Sequence, residues 1–89
     1  MEILLEGIYN TLEGEKDITL LLVSNGTAER KKGILSTKVR TRQEFDVWIN
    51  GKHKLKITIQ MSTLRNKKAI EKCLIEHYNI KRIKRLDIV

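Results

Sequence analysis

From Leu35 to Met61 the chain alternates with a period of two, interrupted only at Asn50-Gly51. Leu35, Thr37, Val39, Thr41, Gln43, Phe45, Val47 and Ile49 fall on one parity, and Lys38, Arg40, Arg42, Glu44, Asp46 and Trp48 on the other. After the interruption, Leu55, Ile57, Ile59 and Met61 alternate with Lys54, Lys56, Thr58 and Gln60. A helix would scatter such a set around its circumference, whereas a strand sends it to one face, so this half of the chain demands β-structure. Asn-Gly supplies the two positive-φ residues of a tight hairpin turn, which makes the segment a hairpin. Fifteen residues are long for one strand, so a bend or bulge is expected near Thr41 to Gln43.

Partners across a hairpin must share a face, and this constrains the register. A plain two-residue Asn-Gly turn sets Val47 opposite Lys54 and Phe45 opposite Lys56. A three-residue loop or a bulge beside the turn sets Val47 opposite Leu55 and Phe45 opposite Ile57, which keeps apolar residues together. The second register is expected throughout. It brings Trp48 beside Lys54, Asp46 beside Lys56 and Arg42 beside Gln60.

The remaining elements follow from spacing and punctuation. Leu4, Leu5, Ile8 and Leu12 recur at helical intervals ahead of Gly14, which predicts a short N-terminal helix over residues 2–13. The competing strand pattern is Ile3, Leu5 and Tyr9, and Gly7 disfavours a helix interior by about 1 kcal/mol. Asp17 to Ser24, dense in Ile18, Leu20, Leu21, Leu22 and Val23 and closed by Asn25-Gly26, reads as a central strand. Thr27 to Gly33, with Arg30, Lys31 and Lys32 in succession, reads as a basic loop. Beyond Met61, Ser62 or Thr63 can cap a helix over residues 64–78, with Ile70, Cys73, Leu74, His77 and Tyr78 on one face. Asn79 suits the left-handed cap that ends it. Arg82 to Val89 reads as a last strand, with a helix through Ile80, Ile83 and Leu86 as the alternative. The fold class expected is α+β: a mostly antiparallel twisted sheet of four to five strands packed against a helix in the C-terminal half.

Eighty-nine residues suit one domain, 1–89, able to bury about 64% of its unfolded surface. One cysteine excludes a disulfide framework, and with two histidines it falls short of a structural zinc site. No metal and no cofactor are expected. The longest wholly apolar run, Leu20 to Val23, is far below the roughly 18 residues of a membrane span, and Met1-Glu2 opens no basic, apolar-cored leader. A soluble, cytoplasmic protein without a membrane partner is the expectation.

Charge narrows the class of partner. Residues 1–29 carry one lysine against six carboxylates, a net charge of −5, while residues 30–89 carry seventeen cations against five carboxylates, a net charge of +12. Clustered cations attract polyanions and release counterions on contact with phosphate. A small, basic, non-enzymatic nucleic-acid-binding protein is therefore expected, with single strands and duplexes both open. The candidate contacts are Arg30, Lys31 and Lys32 in the loop, and Lys38, Arg40, Arg42, Lys54 and Lys56 on the strands. Lys81, Arg82, Lys84 and Arg85 add the C-terminal cluster, and Trp48 offers an indole for base stacking. Arg65, Lys67, Lys68 and Lys72 lie on or near the preceding helix.

Other readings compete. A protein-interaction module or small regulatory subunit would use the same basic face or a sheet edge, and an exposed edge would also serve a homodimer. Glu44 and Asp46 share a face, as in a metal-dependent nuclease, but cations surround them and a third acidic ligand is not evident. His53 and His77 read as a surface and a core residue, and Cys73 as an inert thiol. The N-terminal acidic segment reads first as the solvated face of a packed helix, and otherwise as a dock for a basic partner or a mask over the basic face of its own or another subunit.

Overall fold

A computed structural model describes residues 1–28 and 42–89. Five strands and one α-helix follow in the order β1 (Glu2–Thr11), β2 (Gly14–Ala28), β3 (Arg42–Ile49), β4 (Lys52–Gln60), a 3₁₀ turn (Thr63–Arg65), α1 (Lys67–Tyr78) and β5 (Ile80–Ile88). The strands form one antiparallel sheet in the spatial order β4-β3-β2-β1-β5. The α+β class, the antiparallel sheet and the helix in the C-terminal half are those expected from the sequence.

The N-terminal segment is a strand and not a helix. β1 is hydrogen-bonded on both sides, to β2 and to β5. Ile3 and Leu5 are fully buried on one face, and Leu4 and Ile8 are half-buried on the other. An apolar residue on each face mimics helical spacing, and Leu12, which completes that spacing, stands wholly exposed in the β1–β2 turn. Gly7 finds its place here as well. A Cβ on it would lie 2.3 Å from the Arg82 carbonyl oxygen, so the close approach of β5 to β1 requires glycine.

β2 is central, with Ile18, Leu20 and Leu22 buried. It does not end at Asn25-Gly26. Ser24 pairs with Phe45 and Thr27 with Gln43, so these two residues form a bulge opposite Glu44 and the strand runs on to Ala28. The expected bend near Thr41 lies partly outside the described residues.

The β3–β4 hairpin combines both registers considered from the sequence. Asn50 and Gly51 have φ of 50° and 84°, the pair of positive values that a two-residue turn needs. Around that turn Ile49 pairs with Lys52, Trp48 with His53 and Val47 with Lys54, contrary to the expected Val47–Leu55 pair. Farther out, Phe45 pairs with Ile57 and Arg42 with Gln60, as expected. The switch is a bulge in which Leu55 and Lys56 together oppose Asp46. Turn geometry wins beside the turn and apolar matching wins beyond it, and the extra residue reconciles them. Leu55 bears the cost, being 89% exposed.

α1 begins later than expected because Asn66, not Ser62 or Thr63, caps it. The Asn66 Oδ1 accepts from the amides of Lys68 (2.8 Å) and Ala69 (3.3 Å). Asn79 closes the helix in the left-handed conformation, φ 57° and ψ 43°, as expected. Its carbonyl accepts from the Asn10 amide and its side-chain amide donates to the Asn10 carbonyl, which ties the helix end to β1. Ile70 and Leu74 belong to one buried core with Leu5, Leu20, Leu22, Phe45 and Val47 of the sheet. Each such side chain, fully removed from water, contributes about 1.5–3 kcal/mol. His77 is exposed, edge-on to Tyr78, instead of lying in the core.

β5 settles the ambiguity of Ile80, Ile83 and Leu86 in favour of a strand. Ile80 pairs with Tyr9, Ile83 with Gly7 and Leu86 with Leu5, all toward the helix side. Spacing by three survives in a strand because two bulges each insert one residue. Lys81 is extra between the Tyr9 and Ile8 pairings, and Lys84 between those of Gly7 and Glu6.

Candidate nucleic-acid interface

The expected contact residues separate into groups with different electrostatic surroundings. Arg30, Lys31, Lys32, Lys38 and Arg40 lie outside the described residues. The others divide between the two faces of the sheet, one covered by α1 and the other carrying no helix among the described residues.

On the helix-free face, β5 concentrates its cations. The two bulges set Lys81 and Arg82 opposite Ile8, and Lys84 and Arg85 opposite Glu6, so all four side chains crowd one face of an edge strand. Three are tied to carboxylates. Lys81 pairs with Glu15, Lys84 with Asp17 at 3.4 Å, and Arg85 with Asp87 at 2.6 Å. Arg82 forms no ion pair among the described residues. Glu15 and Asp17 belong to β2, so both lysines reach across the whole width of β1. The acidic and basic halves of the sequence are thereby interleaved in space. Two acids of the N-terminal segment, which is a hairpin and not a helix, pair with lysines of β5.

Trp48 also faces this side, half-buried, in a row with Leu21. Its ring neighbour is His53, with centroids 4.9 Å apart, and not Lys54 as the expected register required. His53 Nε2 lies 3.4 Å from Asp46 Oδ1, while Lys56 lies 4.0 Å from Glu44 and not beside Asp46. Arg42 donates to the Thr58 hydroxyl. Among the described residues the indole therefore has His53, and no free lysine or arginine, as its ring neighbour, and Lys38 and Arg40 of the anticipated set lie outside them. Glu44 and Asp46 share this face, as expected, but each has a cation or a histidine as neighbour. Among the described residues no three His, Cys, Asp or Glu side chains converge as metal ligands.

The helix side gathers cations of another kind. Lys54 opposes Val47 and Lys52 opposes Ile49, so both project to the side of α1. Arg65 precedes the helix, Lys67 and Lys68 open it, and Lys72 follows one turn later. All six are exposed, and none has an ion-pair partner among the described residues. The first turn contains no acid. Lys67 and Lys68 thus stand at the positive end of the helix dipole, where a cation costs about 0.3–1 kcal/mol. Lys52 was not singled out from the sequence, and the helix cations were noted there only as companions of the C-terminal cluster. No pattern in the sequence distinguishes a paired lysine from a free one.

Cys73 is half-buried on the inner side of α1, and burial followed by the nearby Glu76 carboxylate pushes its thiol above the ordinary range. That suppresses the thiolate at neutral pH. Burial, then Cys73, likewise raises the Tyr78 phenol. Both groups belong to the packed interior. Comparison with protein-family models, with curated proteins and with solved structures found no match to this chain.

Proposed function

We propose that the protein is a non-enzymatic nucleic-acid-binding protein that engages the phosphate backbone through the cations on the side of α1. The observation that carries this reading is the contrast between its lysines. Those of β5 are neutralised within the chain, whereas Arg65, Lys67, Lys68 and Lys72 are exposed, have no carboxylate partner among the described residues and stand partly against the helix dipole. A phosphate at the start of α1 would relieve that repulsion and release its own counterions. Contacts of this kind position a backbone without reading bases, so little sequence preference is expected.

The test is fluorescence anisotropy of labelled single-stranded DNA, duplex DNA and RNA across a salt series. Sub-micromolar binding at near-physiological salt supports the reading, as does a triple variant, R65A/K68A/K72A, that binds at least about tenfold more weakly with a shallower log–log salt slope. Binding no tighter than roughly 10⁻⁴ to 10⁻⁶ M, or a triple variant that binds like the parent, refutes it.

A protein-interaction reading is favoured by a different observation. Among the described residues β4 is an edge strand, and Leu55 is 89% exposed between Lys54 and Lys56, a combination suited to an acidic extended peptide. If an oligonucleotide fails to bind while an acidic protein surface binds and loses affinity with Leu55→Ser, that reading prevails.

A further inference from the structure

The four cations of β5 share one face of a single strand, yet three of them are occupied from within. Its construction is specific. Each bulge turns the triplet of one apolar and two basic residues, Ile80-Lys81-Arg82 and Ile83-Lys84-Arg85, into a pair of cations opposite a single β1 residue. Plain alternation would have sent half of these side chains to the core side. Two anchored bulges therefore give an edge strand twice the usual cation density on one face.

The carboxylates that meet them come from the far side of β1. Glu15 and Asp17 lie two strands away, about 9–10 Å across the sheet, and contact is made only because the long lysine side chains reach across β1. The spacing of the two acids along β2 is two residues, about 6.8 Å, which is close to the separation of successive phosphates along a nucleic-acid strand. All the side chains involved remain substantially exposed, from 47% for Glu15 to 85% for Asp17. Exposed pairs of this type exchange readily with solvent ions and contribute little to stability.

We infer that Lys81 and Lys84, with Arg82 beside them, form a second phosphate-binding surface that Glu15 and Asp17 hold in place of phosphate, so that the N-terminal hairpin attenuates binding by the chain's own β5. This rests on the nucleic-acid reading above and assigns a regulatory role to the acidic segment. The two basic surfaces lie on opposite sides of the sheet, so relieving the mask adds contacts without altering those of α1.

The experiment compares E15Q/D17N with the parent by anisotropy on the same oligonucleotides, with circular dichroism to confirm the fold. The double variant is expected to bind on the order of tenfold more tightly at low salt, with a log–log slope steeper by about 1.4 on single strands or 1.8 on a duplex, corresponding to two more phosphate contacts. Two controls separate a mask from general attraction. Glu2→Gln removes an exposed carboxylate that has no ion-pair partner among the described residues, and sets the gain per charge lost. K81A/K84A placed in the E15Q/D17N background is expected to cancel the gain. A gain no larger than two charges of the Glu2 kind, or one that survives loss of both lysines, overturns the inference. The readings fail separately: if the parent does not bind but E15Q/D17N does, the mask stands and the helix-side reading falls. If neither binds, both fall.

Discussion

Gly7 shows how a single position can decide whether two strands meet. Its missing Cβ admits the Arg82 carbonyl oxygen, and the obstacle to any larger residue is backbone, which cannot rotate away as a side chain could. Gly7→Ala is expected to destabilise the fold by about 2–3 kcal/mol, within the range for overpacked interiors, by prising β5 from β1. Urea denaturation checks this, and a change below about 0.5 kcal/mol would mean that the strands tolerate a wider separation. The same glycine was only half legible in the sequence. It argues against a helix on propensity alone, which is correct, but nothing local says that its purpose is the approach of a strand some 75 residues away.

At the level of elements, α1 carries a conflict between stability and the proposed binding. Lys67 is the first helical residue, at the positive end of the dipole, beside Lys68 and Arg65. Lys67→Glu is expected to raise stability by about 0.3–1 kcal/mol while weakening nucleic-acid binding several-fold. Thermal unfolding and anisotropy on one protein sample measure both. If stability and affinity move in the same direction, the cations at this end serve the fold and not a ligand. Elements also show where local pattern was sufficient. The Asn50-Gly51 turn, the left-handed Asn79 and the central β2 were all legible because backbone conformation or dense apolar residues are written in a few adjacent letters. The bulges were not. Leu55, Lys81 and Lys84 differ from their neighbours only in the partner strand they happen to face, and the sequence does not name that partner. The spacing of Ile80, Ile83 and Leu86 was therefore visible but ambiguous, being common to a helix and to a doubly bulged strand.

For the molecule as a whole, net charge was legible and its arrangement was not. The opposition between an acidic N-terminal third and a basic remainder suggests separated poles, yet the strand order lays β2 and β5 on either side of β1 and cancels much of the contrast there. Both edges of the sheet are basic, β4 through Lys52, Lys54 and Lys56 and β5 through its four cations, and both are bulged. Charged, bulged edges resist pairing with another sheet. We expect the protein to remain monomeric at micromolar concentrations, and K52T/K54T/K56T to self-associate through β4, as read by sedimentation velocity. Self-association of the parent, or none in the variant, would show that the edges are governed otherwise.

The pairing of β5 with β1 also has a consequence for the order of events in folding. Glu2 and Val89 exchange both backbone hydrogen bonds, each at 2.9 Å, so the first and last strands lie side by side. During synthesis the β1–β2 hairpin forms before β5 exists and can close within microseconds, but the side of β1 that β5 covers stays bare until β5 has emerged. Loop closure over so long a separation is slow, and in that interval Ile3 and Leu5 lack one flank of their shelter. The vulnerable species is thus the chain before β5 has docked, and the doubly basic β5 then meets a hairpin whose acids are already in place to receive it.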